Sequence, residues 1–180
     1  MLDSKLQKLI GLLKEMESAV LAYSGGVDST LLLKAIQLSG IRALAVTAVS
    51  ETMPEPDLLF SKKMCEDTGI KQMIIKTEEL SKENFAKNPH DRCFYCKDEL
   101  FTKIRVIAND EGYRFVLDGN NLDDKADWRP GRKAAVNHSV RSPLTEAGMD
   151  KKEIREISRK LNLPSWDKPS SPCLASRFPY

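Results

Sequence analysis

Several things are scarce or missing in this sequence, and each absence closes off a class of function. No apolar run approaches the length that spans a bilayer, and the first residues lack the apolar core of a secretory leader. A helical membrane span is therefore not expected, and a cytoplasmic location is. Neither charge sign dominates, with 28 basic residues against 26 acidic ones and a net charge of +2. So even a balance gives no strong field for a membrane surface or a nucleic acid, and any nucleic-acid contact would be local. Structural disulfides are not expected in that compartment, so the four cysteines read as thiols or metal ligands. There is no repeat, low-complexity tract or convincing linker. A chain of 180 residues, 41% of them hydrophobic, suits one domain with its own core over residues 1–180.

Two phosphate-binding signatures are also lacking. There is no Gly-x-x-x-x-Gly-Lys-Ser/Thr and no Gly-x-Gly-x-x-Gly, so P-loop γ-phosphoryl transfer and dinucleotide binding are both disfavoured. What stands in their place is Ser24-Gly25-Gly26-Val27-Asp28-Ser29, between the apolar run Ala19 to Tyr23 and the helical start Thr30-Leu31-Leu32-Leu33. A strand that turns through two glycines into a helix presents backbone N–H groups and the positive end of the helix dipole to an anion. Gly25 and Gly26 can take positive φ, and Ser24 and Ser29 can add hydroxyl donors. The alternative is a plain turn in which Asp28 or Ser29 caps the helix. The six residues resemble the PP-loop of ATP pyrophosphatases, which grip pyrophosphate and release it as AMP is transferred.

Further along, strand and helix alternate. Ile41 to Val49 and Gln72 to Lys76 read as strands, Asp57 to Thr68 and Arg92 to Glu111 as helices, and Phe115 to Leu117 as a strand ending at Asp118-Gly119. A shorter β-like piece, Ser139 to Arg141, precedes a helix from Asp150 to Asn162 that Asp150 caps. Leu2, Leu6, Leu9, Ile10, Leu13 and Met16 recur at helical spacing, so residues 1–17 form an amphipathic helix packed on the domain. The order predicts an α/β fold, a mostly parallel sheet with helices on both faces and ligands at the carboxyl ends of the strands. That edge gathers the glycine loop, the Ser50 to Pro56 segment and the acidic stretch Asp118 to Gly131.

In the acidic stretch, Asp118, Asn120, Asp123, Asp124 and Asp127 offer oxygen ligands for magnesium or acceptors for ribose hydroxyls. Trp128 can pack the loop or stack on a ring. Cys93 and Cys96 form a Cys-x-x-Cys at a helix start, and Cys173 lies near the end of the sequence. A redox pair, a zinc site completed by His90 or His138, and a 4Fe-4S cluster held by three thiolates all suit this set. Cys65 falls within a helical stretch and reads as a small buried hydrophobe.

Taken together, the loop, the block from Asp118 to Gly131, Ser142-Pro143-Leu144, Lys152-Glu153-Ile154-Arg155 and Cys173 to Tyr180 resemble the LarE family of ATP-dependent sulfur transferases. The resemblance covers nearly all of the chain. It implies a HUP-like, Rossmann-like three-layer domain that uses ATP and Mg²⁺ to adenylate a carboxylate on a pyridinium mononucleotide. Pyrophosphate leaves, and sulfur replaces AMP to give a thiocarboxylate for a nickel-pincer cofactor. It further implies Ser24, Gly25, Gly26, Val27, Asp28, Ser29, Asp118 and Asn120 as the ATP site, and Asp28, Asp123 and Asp127 as magnesium candidates. Cys93, Cys96 and Cys173 are similar to the 4Fe-4S ligands of the three-cysteine branch. Cys173, Asp28 and Arg177 form the expected catalytic set. The guanidinium forks of Arg177 and Arg129 suit phosphate or carboxylate. The small-molecule acid is the expected partner, in a homo-oligomer. A tRNA-thiolating enzyme and an ATP-binding module without turnover are the alternatives. Members of the family continue past Phe178-Pro179-Tyr180 into a smaller domain, so this chain is expected to lack it.

Overall fold

The computed structural model describes residues 2–49, 54–77, 92–125 and 131–169. Its elements are α1 (Leu2–Met16), β1 (Ser18–Ala22), α2 (Val27–Ser39), β2 (Arg42–Val49), α3 (Glu55–Thr68), β3 (Lys71–Lys76), α4 (Arg92–Asp110) and β4 (Phe115–Leu117). A 3-10 turn at Asp123–Lys125 follows, then α5 (Gly131–Asn137), α6 (Pro143–Glu146) and α7 (Lys151–Lys160). The described strands form one parallel sheet in the order β3-β2-β1-β4.

The two-residue period of the strands builds two cores from one sheet. Ala19 and Leu21 of β1, Ala45 of β2 and Leu117 of β4 join Leu9 and Leu13 of α1 and the leucines of α2. Val20, Leu44, Val46 and Val116, one position away, face Phe101 and Ile104 of α4 and Ala134 of α5. Helices therefore cover both faces, as the alternating sequence predicts. Leu9, Leu13 and Met16 are fully buried, and at ~1.5–3 kcal/mol for each such side chain they hold α1 on the domain. Lys5 adds a tie from α1 to Glu153 and to the Gly148 carbonyl. Cys65 is buried on α3, and burial pushes its thiol up to about 11. Among the described residues, no helix is long and apolar enough to cross a membrane.

Two features differ from the sequence expectation. The piece from Ser139 to Arg141 is reduced to a single parallel bridge between Leu117 and Arg141. Arg141 N–H donates to the Val116 carbonyl, the Arg141 carbonyl accepts from Asp118 N–H, and Pro143 then opens α6. Proline has no N–H with which to continue a ladder. The short helices α5 and α6 were not expected. The cap of α7 is as predicted: Asp150 accepts from Glu153 N–H while Glu153 accepts from Asp150 N–H.

From β1 the chain winds outward to β2 and β3, then returns to place β4 on the other side of β1. Crossovers leaving in opposite directions open a crevice beyond the carboxyl ends of β1 and β4. The glycine loop and the acidic block both begin there.

Candidate active site

At the end of β1, Gly25 has φ +75°. A Cβ there would stand 3.4 Å from the Asp57 carbonyl oxygen and 3.5 Å from Phe60 and Ser61, so only glycine is unstrained. Gly26 departs from the expected positive φ. Its backbone is extended, with φ −74° and ψ 171°, and it is the N-cap of α2. A glycine cap has no side chain for the first-turn N–H groups of α2, which leaves them to a guest at the positive end of the helix. Val27 buries its side chain in the core, so only its backbone is available to a ligand. Ser24 Oγ and Ser29 Oγ lie 3.0 Å apart. Ser24 Oγ accepts from Gly26 N–H at 3.3 Å, and Ser29 Oγ donates to the Gly26 carbonyl at 3.3 Å, bracing the loop from within.

Asp28 does not cap the helix. Both of its oxygens accept from Lys151 Nζ, at 2.8 and 2.7 Å, and Asn121 Nδ2 stands 3.4 Å from Oδ2. A second cation reaches the loop from the far end of the described chain. Lys168 Nζ donates to Asp57 Oδ1 at 2.7 Å and to the Gly25 carbonyl at 3.3 Å, and lies 4.6 Å from the centre of the Phe60 ring. Arg155 holds that segment in place by donating to the carbonyls of Trp166 and Lys168 at 2.8 and 2.9 Å. A loop with no lysine of its own is thus flanked by two. Sequence reasoning missed both. Lys151 carried a signal, since it opens α7, where the helix dipole disfavours a cation unless something else holds it. Lys168 carried none.

β4 delivers Asp118 and Gly119 to the same edge. The Asp118 carboxylate is 5% exposed. It accepts from Ser142 Oγ at 2.7 Å, from Asn120 N–H at 3.1 Å and from Asn120 Nδ2 at 2.6 Å. Its role in this geometry is to position Asn120 and Ser142. Burial pushes its carboxyl above the ordinary range, against the pull of the Ser142 bond and the Lys97 charge. The native state therefore keeps the proton longer than the unfolded chain, whose aspartate titrates near ~3.9. Above that pH the buried charge costs stability, increasingly until the folded value is passed. Stability of the wild type relative to Asp118→Asn should accordingly fall as pH rises from about 4 and then level off. Urea unfolding at stepped pH measures this, and a difference that does not vary with pH would contradict it.

Gly119 lies against the start of α2, where an added Cβ would sit 3.0 Å from Ser29 N and 3.2 Å from Ser29 Cα. Asp123 Oδ2 accepts from Lys151 N–H at 2.9 Å, and Asp124 Oδ2 accepts from Asn121 N–H at 2.9 Å. Of the magnesium candidates, Asp28 and Asp123 are thus each engaged by Lys151. Asp127 lies outside the described residues, as do His90, Trp128, Arg129, Cys173, Arg177 and residues 50–53. Cys93 and Cys96 occupy positions three apart on α4, and the Cys96 thiol is half-buried. His138 pairs with Asp98 at 2.8 Å where α4 meets α5. Among the described residues, no group of three or more His, Cys, Asp or Glu side chains could hold a metal ion. The structure brings together the loop, Asp28, Asp118, Asn120 and Asp123; of the cysteine triad, only the Cys96 side chain lies among the described residues.

No family model matches the sequence. Among curated proteins, an uncharacterised protein of Synechocystis is 45% identical over 181 residues, covering 100% of this chain and 68% of that protein. The pyridinium-3,5-bisthiocarboxylic acid mononucleotide synthase of Lactiplantibacillus plantarum is 34% identical over 181 residues, covering 99% of this chain and 66% of the synthase. The chain thus spans about two thirds of the length of these relatives. Among solved structures, the NMN synthetase of Francisella tularensis superposes with a TM-score of 0.78 over 95% of this chain and 76% of that one, at 17% identity. The U34-tRNA thiolase NcsA of Methanococcus maripaludis, with its 4Fe-4S cluster, gives 0.67 over 97% and 70%, also at 17%. These likenesses bear out the α/β, parallel-sheet fold predicted from the strand and helix order. With two sequence matches running the length of the chain, one of them to the pyridinium-3,5-bisthiocarboxylic acid mononucleotide synthase, the chain belongs to the LarE family.

Proposed function

We propose that this protein is an adenylating sulfur transferase acting on a carboxylate of a pyridinium mononucleotide. A carboxylate oxygen attacks the α-phosphorus of ATP, the bond from that phosphorus to the β-bridging oxygen breaks, and pyrophosphate leaves. A sulfur nucleophile then attacks the acyl carbon, and AMP departs with the carboxylate oxygen, leaving a thiocarboxylate. The observation that carries this reading is the loop itself: an α2 start capped by glycine and flanked by Lys151 and Lys168. That arrangement suits departing pyrophosphate, whose charge is stabilised by fixed N–H groups and cations. The relative from Lactiplantibacillus, named for a bisthiocarboxylic acid product, supports the acyl chemistry.

Asp28 holds Lys151 at the loop, and Asp28, Asp123 and Asp127 are the carboxylates that would hold the magnesium accompanying ATP. Cys173 is the sulfur end of the site, with Arg177 as its phosphate or carboxylate contact. Cys93 and Cys96, a turn apart on α4, fit thiolate ligation shared with Cys173. A 4Fe-4S cluster held by the three would supply an open iron for sulfide. The fold shared with a thiolase that carries such a cluster supports this assignment.

Two measurements test the proposal. Pyrophosphate exchange into ATP should be stimulated by nicotinate mononucleotide and not by nicotinamide mononucleotide, whose amide cannot be adenylated in the same way. Exchange that ignores both would overturn the adenylation step. Anaerobically purified protein should contain iron and sulfide that are lost in Cys93→Ala, Cys96→Ala and Cys173→Ala alike. Wild-type protein that binds zinc and no iron would overturn the cluster.

A further inference from the structure

Beside the loop, on the α4 and α5 side of the β4 end, lies a small recess. Lys97 of α4 and Arg132 of α5 line it together with Asn120, Asn121, Ser142 and Thr145. We infer that this recess receives the acid group of the acceptor, with Lys97 and Arg132 as its charge partners. The inference rests on the adenylation reading for the identity of the acceptor alone.

Three observations lead to it. The first is location: Asn121 lines the recess and at the same time places Nδ2 3.4 Å from Asp28 Oδ2. An acid held in the recess therefore stands next to the nucleotide loop, which an oxygen attacking an α-phosphate requires. The second is charge. Two cations from separate helices line a recess whose other polar groups are amides, hydroxyls and a single carboxylate, and an acid offers two acceptor oxygens to an ammonium and a guanidinium fork. The one carboxylate, Asp124, whose Oδ2 accepts from Asn121 N–H, offsets one of these two charges and leaves the lining cationic. Lys97 makes no hydrogen bond or ion pair with another described residue, although its charge is felt by the buried Asp118. The third is rigidity. Asp118 fixes both Asn120 and Ser142, and Thr145 Oγ1 donates to the Asn120 carbonyl at 3.0 Å. The polar wall is thus held in place before any ligand arrives, which lowers the ordering cost of binding.

A mononucleotide acid carries two anions, a ring carboxylate and a phosphate, and calorimetric titration without ATP separates them. Wild-type protein should bind nicotinate mononucleotide at least about tenfold more tightly than nicotinamide mononucleotide, the difference expected of a charge-assisted hydrogen bond. Nicotinate riboside, which lacks the phosphate, should keep the preference over nicotinamide riboside. In Lys97→Met and Arg132→Met, each shown to melt like the wild type, the preference should shrink to about threefold or less. Equal binding of acid and amide by the wild type, or no binding of the acid, would overturn the inference. So would variants that keep the full preference, or a preference that disappears with the phosphate. Absence of pyrophosphate exchange with the preference intact would instead remove the adenylation reading and leave the recess as an acid site.

Discussion

Gly119→Ala is expected to weaken ATP binding by at least about tenfold and to destabilise the fold by ~1–3 kcal/mol, the usual cost of overpacking. The cause lies in what the new methyl would meet. An ideal Cβ at Gly119 stands 3.0 Å from Ser29 N, 3.2 Å from Ser29 Cα and 3.3 Å from Ser29 Cβ. Two of these are backbone atoms in the first turn of α2, where no flexible side-chain end can yield. Relief requires the β4 loop and the start of α2 to separate, and that start carries the N–H groups offered to phosphate. Gly11 provides the contrast. It lies on the solvent-exposed face of α1 with nothing within 4 Å of a built Cβ, so Gly11→Ala should stabilise by ~0.5–1 kcal/mol through helix propensity and leave ATP binding unchanged. Urea unfolding and ATP titration of the two variants side by side make the comparison. A Gly119→Ala protein that binds ATP like the wild type would show that the two loops do not form one site.

Lys151→Met should lower pyrophosphate release by roughly 10²–10³-fold, the range seen when one stabilising group is removed from a charged transition state. Its effect on folding should be far smaller, within ~1 kcal/mol, because the Lys151 and Asp28 side chains remain 32% and 21% exposed and water screens the pair. The asymmetry follows from geometry. Lys151 Nζ lies within 2.8 Å of both Asp28 oxygens, so its removal leaves an uncompensated carboxylate at the point where phosphate must bind. Removing that carboxylate as well, in Lys151→Met with Asp28→Asn, should recover part of the ATP affinity. The two changes are in contact and will not add. Steady-state release and ATP titration of the two singles and the double complete the cycle. A Lys151→Met enzyme with wild-type turnover would place the charge stabilisation elsewhere.

Local patterning made most of the fold legible. The apolar runs of β1 and β2, the spacing of α4 and the Asp150 cap of α7 each depend on residues within one element, and the structure holds all of them. The weak points are short pieces governed by their surroundings. Ser139 to Arg141 keeps a single bridge because Pro143 ends the ladder, and α5 and α6 are too short to show a helical period. The site divides along the same line. Its glycine loop is contiguous and was readable, apart from the extended backbone of Gly26. Its cations are not, because Lys151 lies 123 residues from Asp28 and Lys168 lies 143 residues from Gly25. Only the winding of the sheet, which brings the first loop beside the last helix, makes them neighbours. Asp118 shows the same limit: sequence places it at the end of β4, while its hydrogen bonds to Asn120 and Ser142 are visible only in the fold.

Adenylation and sulfur attack each break one defined bond, the first in ATP and the second in the activated acid. Nicotinate mononucleotide labelled with ¹⁸O in its carboxylate, incubated anaerobically with ATP, magnesium, sulfide and the protein, reports both by mass spectrometry. Adenylation followed by sulfur attack predicts pyrophosphate together with AMP carrying one ¹⁸O in its phosphate. ADP with inorganic phosphate, or AMP without the label, would contradict it.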